Sequence, residues 1–168
     1  MATPDFILRL RERVGHELLW LTGVTAVVVK DDAVLLVERA DNGSVTPVTG
    51  IVDPGEQPAV AAVRETLEEA GVVAEPEAVV WVHALPPMRY PNGDLAQYLD
   101  ITVRCRWTEG DPHPADGENA RAWWCPIDRL AEERMSDDMR ERILVALTHE
   151  GSARFETTTG LEAAAETA

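Results

Sequence analysis

A mixed β-sheet held between helices, an α/β or α+β arrangement, is the fold the sequence predicts. Aliphatic and β-branched runs of strand length alternate with segments of helical spacing, and no stretch repeats another. With 45% of its 168 residues apolar, the chain fills one core and has the usual length of one domain.

Thr3-Pro4-Asp5 reads as a helix start: a capping hydroxyl, proline at the first helical position and an acid in the first turn. Phe6, Leu8, Leu10, Val14 and Leu18 give that helix an apolar stripe, broken near Gly15. "GVTAVVVK" (Gly23–Lys30) and "AVLLVER" (Ala33–Arg39) are strands of a hairpin turning at Asp31-Asp32. A short extended piece runs into Gly50, and Pro54 and Gly55 delay the next helix to about Pro58, from where it continues to Ala70. "EAVVWVHAL" (Glu77–Leu85), "QYLDITVRCRW" (Gln97–Trp107) and "ARAWWCPI" (Ala120–Ile127) are further strands, the first two joined by the turn-rich "PPMRYPNGD". "DRLAEERM" and "SDDMRERILVALTHE" read as helices, the second capped by Ser136. These elements divide the chain into an N-terminal helical extension (1–22), a main domain (23–149) and a tail (150–168) with too little apolar content to order.

Charge excludes several functions. A net charge of −15, from 30 acidic and 15 basic residues, opposes binding to a nucleic-acid polymer or an anionic membrane. A small phosphorylated ligand is compatible with such a surface where metal ions reverse the local sign. Cys105 and Cys125 fit neither a disulfide framework nor a metal pair and read as buried thiols. Acids and arginines interrupt the N-terminal apolar residues, so no signal peptide or membrane span is expected, and the location is expected to be cytoplasmic. His16, His83, His113 and His149 lack zinc-ligand spacing, and most of the five tryptophans stand in strand-like surroundings that suit core packing.

The segment "RETLEEAG" (Arg64–Gly71) concentrates acids on one helix. At about 100° per residue, Glu65, Glu68 and Glu69 share an arc of about 100°. Opposite them lie Ala59, Val60, Val63, Leu67 and Ala70, the face expected to pack. Clustered carboxylates repel one another unless a cation sits among them, and oxygen donors suit Mg²⁺ or Mn²⁺. A solvated surface face, with Arg64 pairing Glu68 at i+4, is the alternative that the helix alone leaves open.

The upstream loop decides between them. Gly50, Glu56, Arg64-Glu65, Glu68-Glu69, Gly71 and aliphatic Val72 stand at the spacing of the Nudix hydrolase signature, a coincidence with a chance on the order of 10⁻⁶. Only Thr66 departs from the pattern, which more often has a bulky aliphatic residue there. The chain therefore resembles the Nudix hydrolases, and the resemblance implies their α/β/α sandwich. It also implies hydrolysis of a phosphoanhydride bond in a small nucleotide with Mg²⁺ or Mn²⁺. Glu65, Glu68, Glu69 and the backbone near Gly50 are then the expected metal ligands. Arg64 is expected to hold Glu56 or Glu68, and the general base is Glu65 or Glu118, with Asp116 a weaker substitute.

The resemblance leaves the substrate divided between a nucleoside diphosphate derivative such as ADP-ribose and a nucleoside triphosphate, oxidised forms included. Pro87 stands where relatives acting on ADP-ribose carry proline, and Tyr90 where those acting on dinucleoside polyphosphates carry tyrosine. Arg89 and Tyr90 are candidate substrate contacts, to phosphate and to base or ribose. The alternative function is a nucleotide-sensing domain without turnover, disfavoured because all four box glutamates are intact. By analogy with relatives a homodimer is expected, in which the N-terminal helix, with Phe6, Leu10 and Trp20, exchanges between subunits or packs across the two-fold axis.

Overall fold

The computed structural model describes residues 3–157. The chain forms α1 (Asp5–Val14), β1 (Leu19–Lys30), β2 (Ala33–Arg39), β3 (Val45–Thr46), β4 (Val48–Ile51), α2 (Pro58–Ala70), β5 (Val73–Ala84), β6 (Met88–Arg89), β7 (Leu95–Glu109), β8 (Asn119–Pro126), a 3-10 helix (Ile127–Glu132), α3 (Asp137–Leu147) and β9 (Arg154–Phe155). Lys30 pairs with Ala33, so the first hairpin turns on Asp31-Asp32. Asp31 takes φ 49°, a left-handed conformation that aspartate adopts more readily than most residues. The Ser136 hydroxyl accepts from the Met139 N–H at 3.3 Å and caps α3.

The ends of the chain depart from the sequence reading. Pro4 is itself the cap residue of α1, and no side chain caps that helix. Ile7 is the buried residue of α1, whereas Leu8, Leu10, Val14 and Leu18 are 40–50% exposed. The helix is rotated by a polar anchor. Arg11 donates to the carbonyls of Gly15, Glu17 and Leu95, and Ile7 consequently faces Leu21, Ala96 and Tyr98. At the other end, Arg154–Phe155 pair in parallel with Trp81 and Val82 of β5, so part of the expected tail adds a strand; residues 158–168 lie outside the described residues. "DRLAEERM" forms a 3-10 turn in place of an α-helix.

One mixed sheet runs β3-β2-β1-β7-β5-β9. β1 and β7 are parallel from Leu19↔Ala96 to Val29↔Arg106. The other edge of β1 is divided: Gly23–Ala26 pair with β4, and Val29–Lys30 pair with β2. β2 then continues away to pair with β8. Alternation along the strands gives each face its own core. Val24, Ala26, Val28, Leu35 and Val37 meet α2; Val27, Val34, Leu36 and Val80 meet α3. Each fully buried valine there contributes on the order of 1.5–3 kcal/mol. The division of β1 holds β4, with Gly50, beside α2.

Candidate active site

Small residues bring α2 close to the sheet. Ala61, Ala62, Glu65, Thr66, Glu69 and Ala70 are its buried residues, while Val60 and Leu67 are 57% and 51% exposed. Val60 and Leu67 of the apolar arc expected to pack are therefore turned to solvent, and Glu65 and Glu69 of the carboxylate arc are turned inward while Glu68 stays exposed. Two side-chain bonds make this orientation tolerable. The Thr66 hydroxyl, fully buried, donates to the Ala62 carbonyl at 2.7 Å, and Asn119 Nδ2 donates to Glu69 Oε2 at 3.2 Å. Thr66, the one departure from the signature, thus satisfies its polar atom inside the helix.

Glu65 lies so close to Gly50 that a Cβ at position 50 would overlap its carboxyl group. Arg64 ties the local acids together. Its Nε and Nη2 form a fork on Glu56, both at 2.9 Å, its Nη1 reaches Glu65 at 2.9 Å and Glu68 at 3.1 Å, and Nη2 also donates to the Ile51 carbonyl. Hydrogen bonding from Arg64 holds the Glu56 carboxyl below the usual range, and Glu56 in turn accepts from the Asp53 N–H. The loop before α2 is thereby fixed against its first turns.

A second loop closes the far end of the helix. His113 N–H donates to the Ala70 carbonyl at 3.0 Å and Ala115 N–H to the Glu69 carbonyl at 3.3 Å, satisfying acceptors that the helix terminus leaves open. Gly71 ends α2 at φ 65°, and a side chain there would also collide with the His113 ring. Pinned in this way, residues 110–118 bring Asp116 and Glu118 to α2, with the Glu118 N–H donating to Asp116 Oδ1 at 2.9 Å.

Together these segments enclose a cleft of about 300 Å³ whose charged lining is Asp53, Arg64, Glu65, Glu68, Asp116 and Glu118. Burial pushes the Glu65 carboxyl up, against the pull of Arg64. Burial likewise raises Glu69 to about 7, Asn119 opposing and Glu65 and Asp116 adding to the effect. The cleft is short of positive charge. Among the described residues, no three His, Cys, Asp or Glu side chains already stand in position to hold one ion together. The lining nevertheless fits a hard divalent cation, with carboxylate oxygens from both sides and one arginine as counter-charge; of the other expected ligands, Gly50 lines the neighbouring cavity and Glu69 lines neither.

A second cavity of about 450 Å³ opens between α1 and α3, over β1 and β7, and shares Ile51 with the cleft. Tyr90 lines it, its hydroxyl 2.8 Å from that of Tyr98. Arg89 lines neither cavity and donates to the Gly93 carbonyl; Pro87 lines neither and is exposed. At the floor Arg142, 2% exposed, donates to Asp100, itself 3% exposed, and to Thr25 and Asp138. Sequence reasoning missed Asn119, His113, Arg142 and Asp100. Asn119 carried a signal, as a polar residue beginning an otherwise apolar strand; the other three carried none.

The comparisons with known proteins agree with this geometry. The NUDIX domain matches residues 20–145. A MutT-like protein of Streptomyces ambofaciens is 30% identical over 129 residues, spanning 76% of this chain and 77% of the relative. A NUDIX hydrolase of Nitrosomonas europaea superposes with a TM-score of 0.62 at 27% identity, covering 76% of this chain and 88% of that one. An ADP-ribose pyrophosphatase of Streptococcus suis gives 0.63 at 20% identity, covering 81% and 98%, and shares the fold. No helix among the described residues is long and apolar enough to cross a membrane. By the domain match and by these relatives, the chain belongs to the NUDIX family and is a Nudix hydrolase.

Proposed function

We propose that the protein hydrolyses a phosphoanhydride bond of a small nucleotide at the carboxylate cleft, with Mg²⁺ or Mn²⁺. One observation carries the reading: carboxylates converge from α2 and from the 110–118 loop on a cleft where Arg64 is the lining cation. In this reading Glu65, Glu68, Glu69 and the Gly50 carbonyl hold the metal. The bound ion would neutralise the pyrophosphate and lower the pKa of the attacking water. Arg64 is a positioning residue, since its hydrogen bonds go to Glu56, Glu65 and Glu68. Glu118 faces the same cleft from the opposite loop and takes the proton from water, with Glu65 as the alternative base.

The substrate is a nucleoside diphosphate linked to another group, or a nucleoside triphosphate. An ADP-ribose pyrophosphatase among the structural neighbours supports including ADP-ribose in that set. Two buried, free thiols suit a cytoplasmic setting. Leu10 and Trp20, 40% and 56% exposed, are available for the homodimer contact. The test is phosphate release, with a coupled phosphatase, from ADP-ribose, NADH, nucleotide sugars, dinucleoside polyphosphates and nucleoside triphosphates, with and without Mg²⁺. Strong cleavage of one substrate only with metal supports the reading; a nucleotide bound but never cleaved would replace it with a sensor.

A further inference from the structure

Asn119 faces α2 only because β8 carries an extra residue. From Ala33 to Glu38, β2 pairs residue by residue with Pro126 to Arg121, and Arg39 then pairs with Asn119, leaving Ala120 unopposed. Along the regular part, Ala122 and Trp124 pack in the core under α2, and Trp123 and Cys125 in the core under α3. Strict alternation would put Asn119 on the α3 face, with Trp123 and Cys125. The bulge returns it to the α2 face, where it is 5% exposed and its Nδ2 donates to Glu69 Oε2 at 3.2 Å.

Glu69 has little else to direct it. Its side chain is buried, and among the described residues the Asn119 amide is its hydrogen-bond donor. The carboxyl lies outside the lining of the cleft but within electrostatic reach of Glu65 and Asp116, which do line it. At that depth the choice of rotamer decides whether the carboxylate reaches an ion in the cleft. The donor that makes this choice is neutral. A lysine or arginine would answer the charge and compete with a divalent cation, whereas an amide orients the carboxylate and leaves its charge in place. The donor is also fixed, because the Ala40 N–H donates to the Glu118 carbonyl at 3.0 Å and ties the chain to the end of β2.

Resting on the proposed metal role of Glu69, we infer that Asn119 is a positioning residue for the divalent cation: its amide, aimed by the β8 bulge, sets the direction in which Glu69 presents its charge. Asn119 directly follows Glu118, which lines the cleft. The 110–118 loop also holds Glu69 through its main chain, by the Ala115 N–H. One short segment therefore fixes the Glu69 carboxylate and the proposed base against each other.

Calorimetric titration of the full chain with Mn²⁺, after EDTA treatment and dialysis, tests this without turnover. Asn119→Ala removes the amide, and Asn119→Leu removes it while filling the space. Each variant should weaken Mn²⁺ binding about ten-fold or more. In the hydrolysis assay both should need about ten-fold more Mg²⁺ for half-maximal rate, while KM for the nucleotide at saturating Mg²⁺ stays within about two-fold of the parent's. Damage to the fold reads differently: it lowers the number of Mn²⁺ sites rather than their affinity, and leucine would repair a loss that came from packing. Parental Mn²⁺ affinity in both variants, or a loss in Asn119→Ala that Asn119→Leu restores, overturns the inference. Weakened Mn²⁺ binding in both variants of a parent that cleaves no nucleotide strikes the proposed reaction and upholds the role of Asn119. A parent that binds no Mn²⁺ overturns both.

Discussion

Both faces of the sheet bury charged residues, but they neutralise them differently. On the α3 side, Asp100 accepts from Thr25, Thr102 and Arg142, and Arg142 also bonds Asp138, so the buried charges answer one another. On the α2 side, Glu65 has Arg64 at 2.9 Å, but Glu69, 4% exposed, receives an amide bond from Asn119 and makes no ion pair among the described residues. A compensated cluster specifies structure. A carboxylate buried without a cation keeps its energy available for something that arrives later, which supports placing the proposed chemistry on the α2 face.

The sharpest way to break this contrast is at the acidic face. Glu69→Gln is expected to cut metal-dependent turnover by on the order of 10²–10⁴-fold while the metal-free protein melts no lower than the parent, because a buried, poorly paired charge has been removed. Steady-state kinetics with Mg²⁺ and a thermal melt in EDTA check both halves; full activity would sink the metal-ligand assignment. The mirror experiment is Arg142→Met, which strands Asp100 at 3% exposure. It should cost about 3–5 kcal/mol in urea denaturation, with Arg142→Met/Asp100→Leu recovering much of the loss. A single variant as stable as the parent would mean that the α3 cluster is not holding the fold.

Smaller effects refine the comparison. Gly71→Ala forces a side chain into a left-handed position at the end of α2 and against the His113 ring. A loss of about 1 kcal/mol or more is expected, with reduced turnover as the loop carrying Glu118 shifts. The smallest effect concerns pH on the compensated face. The His83 ring, 3.9 Å from Asp138, and the Arg142 guanidinium at 2.7 Å hold the Asp138 carboxyl below its ordinary range; at those distances the guanidinium makes the hydrogen bond. Its stabilising contribution is present above the unfolded carboxyl pKa, about 4, and is lost as pH falls through the lower folded value. Asp138→Asn should therefore lower stability near neutrality and flatten the acid limb between about pH 5 and 2, a modest change because this side chain is half exposed.

Where local rules governed, the sequence predicted well. The bounds of α2, the Asp31-Asp32 hairpin and the Ser136 cap are set by prolines, glycines and hydroxyls acting on near neighbours. Rotation of the helices was the failure. A hydrophobic wheel assumes that the apolar arc goes inward, yet α2 turns Glu65 and Glu69 inward and leaves Val60 and Leu67 in water. Arg11 similarly fixes α1 against the widest apolar stripe. Of the signature residues, Arg64, Glu65 and Glu68 do line one cleft, because the spacing reports residues held on one helix, while Glu69 and Gly50 lie outside its lining. Arg142 and Asp100 were unreadable for the opposite reason: they lie 42 positions apart, and each alone looks like an ordinary surface residue.

β1 has a consequence for how this chain tolerates change. Gly23 lines the cavity between α1 and α3 and the neighbouring Val24 packs in the core under α2, while pairing with β7 is uninterrupted from Leu19 to Val29. One inserted or deleted residue between Gly23 and Ala26 would exchange the linings of both faces from that point on, because side chains alternate with a period of two. The same event in the exposed Asp41–Ser44 turn would be absorbed locally. Length variation in descendants of this sequence is therefore expected to accumulate in such turns and to be nearly absent from β1, a pattern that deletion scanning of the gene can measure directly.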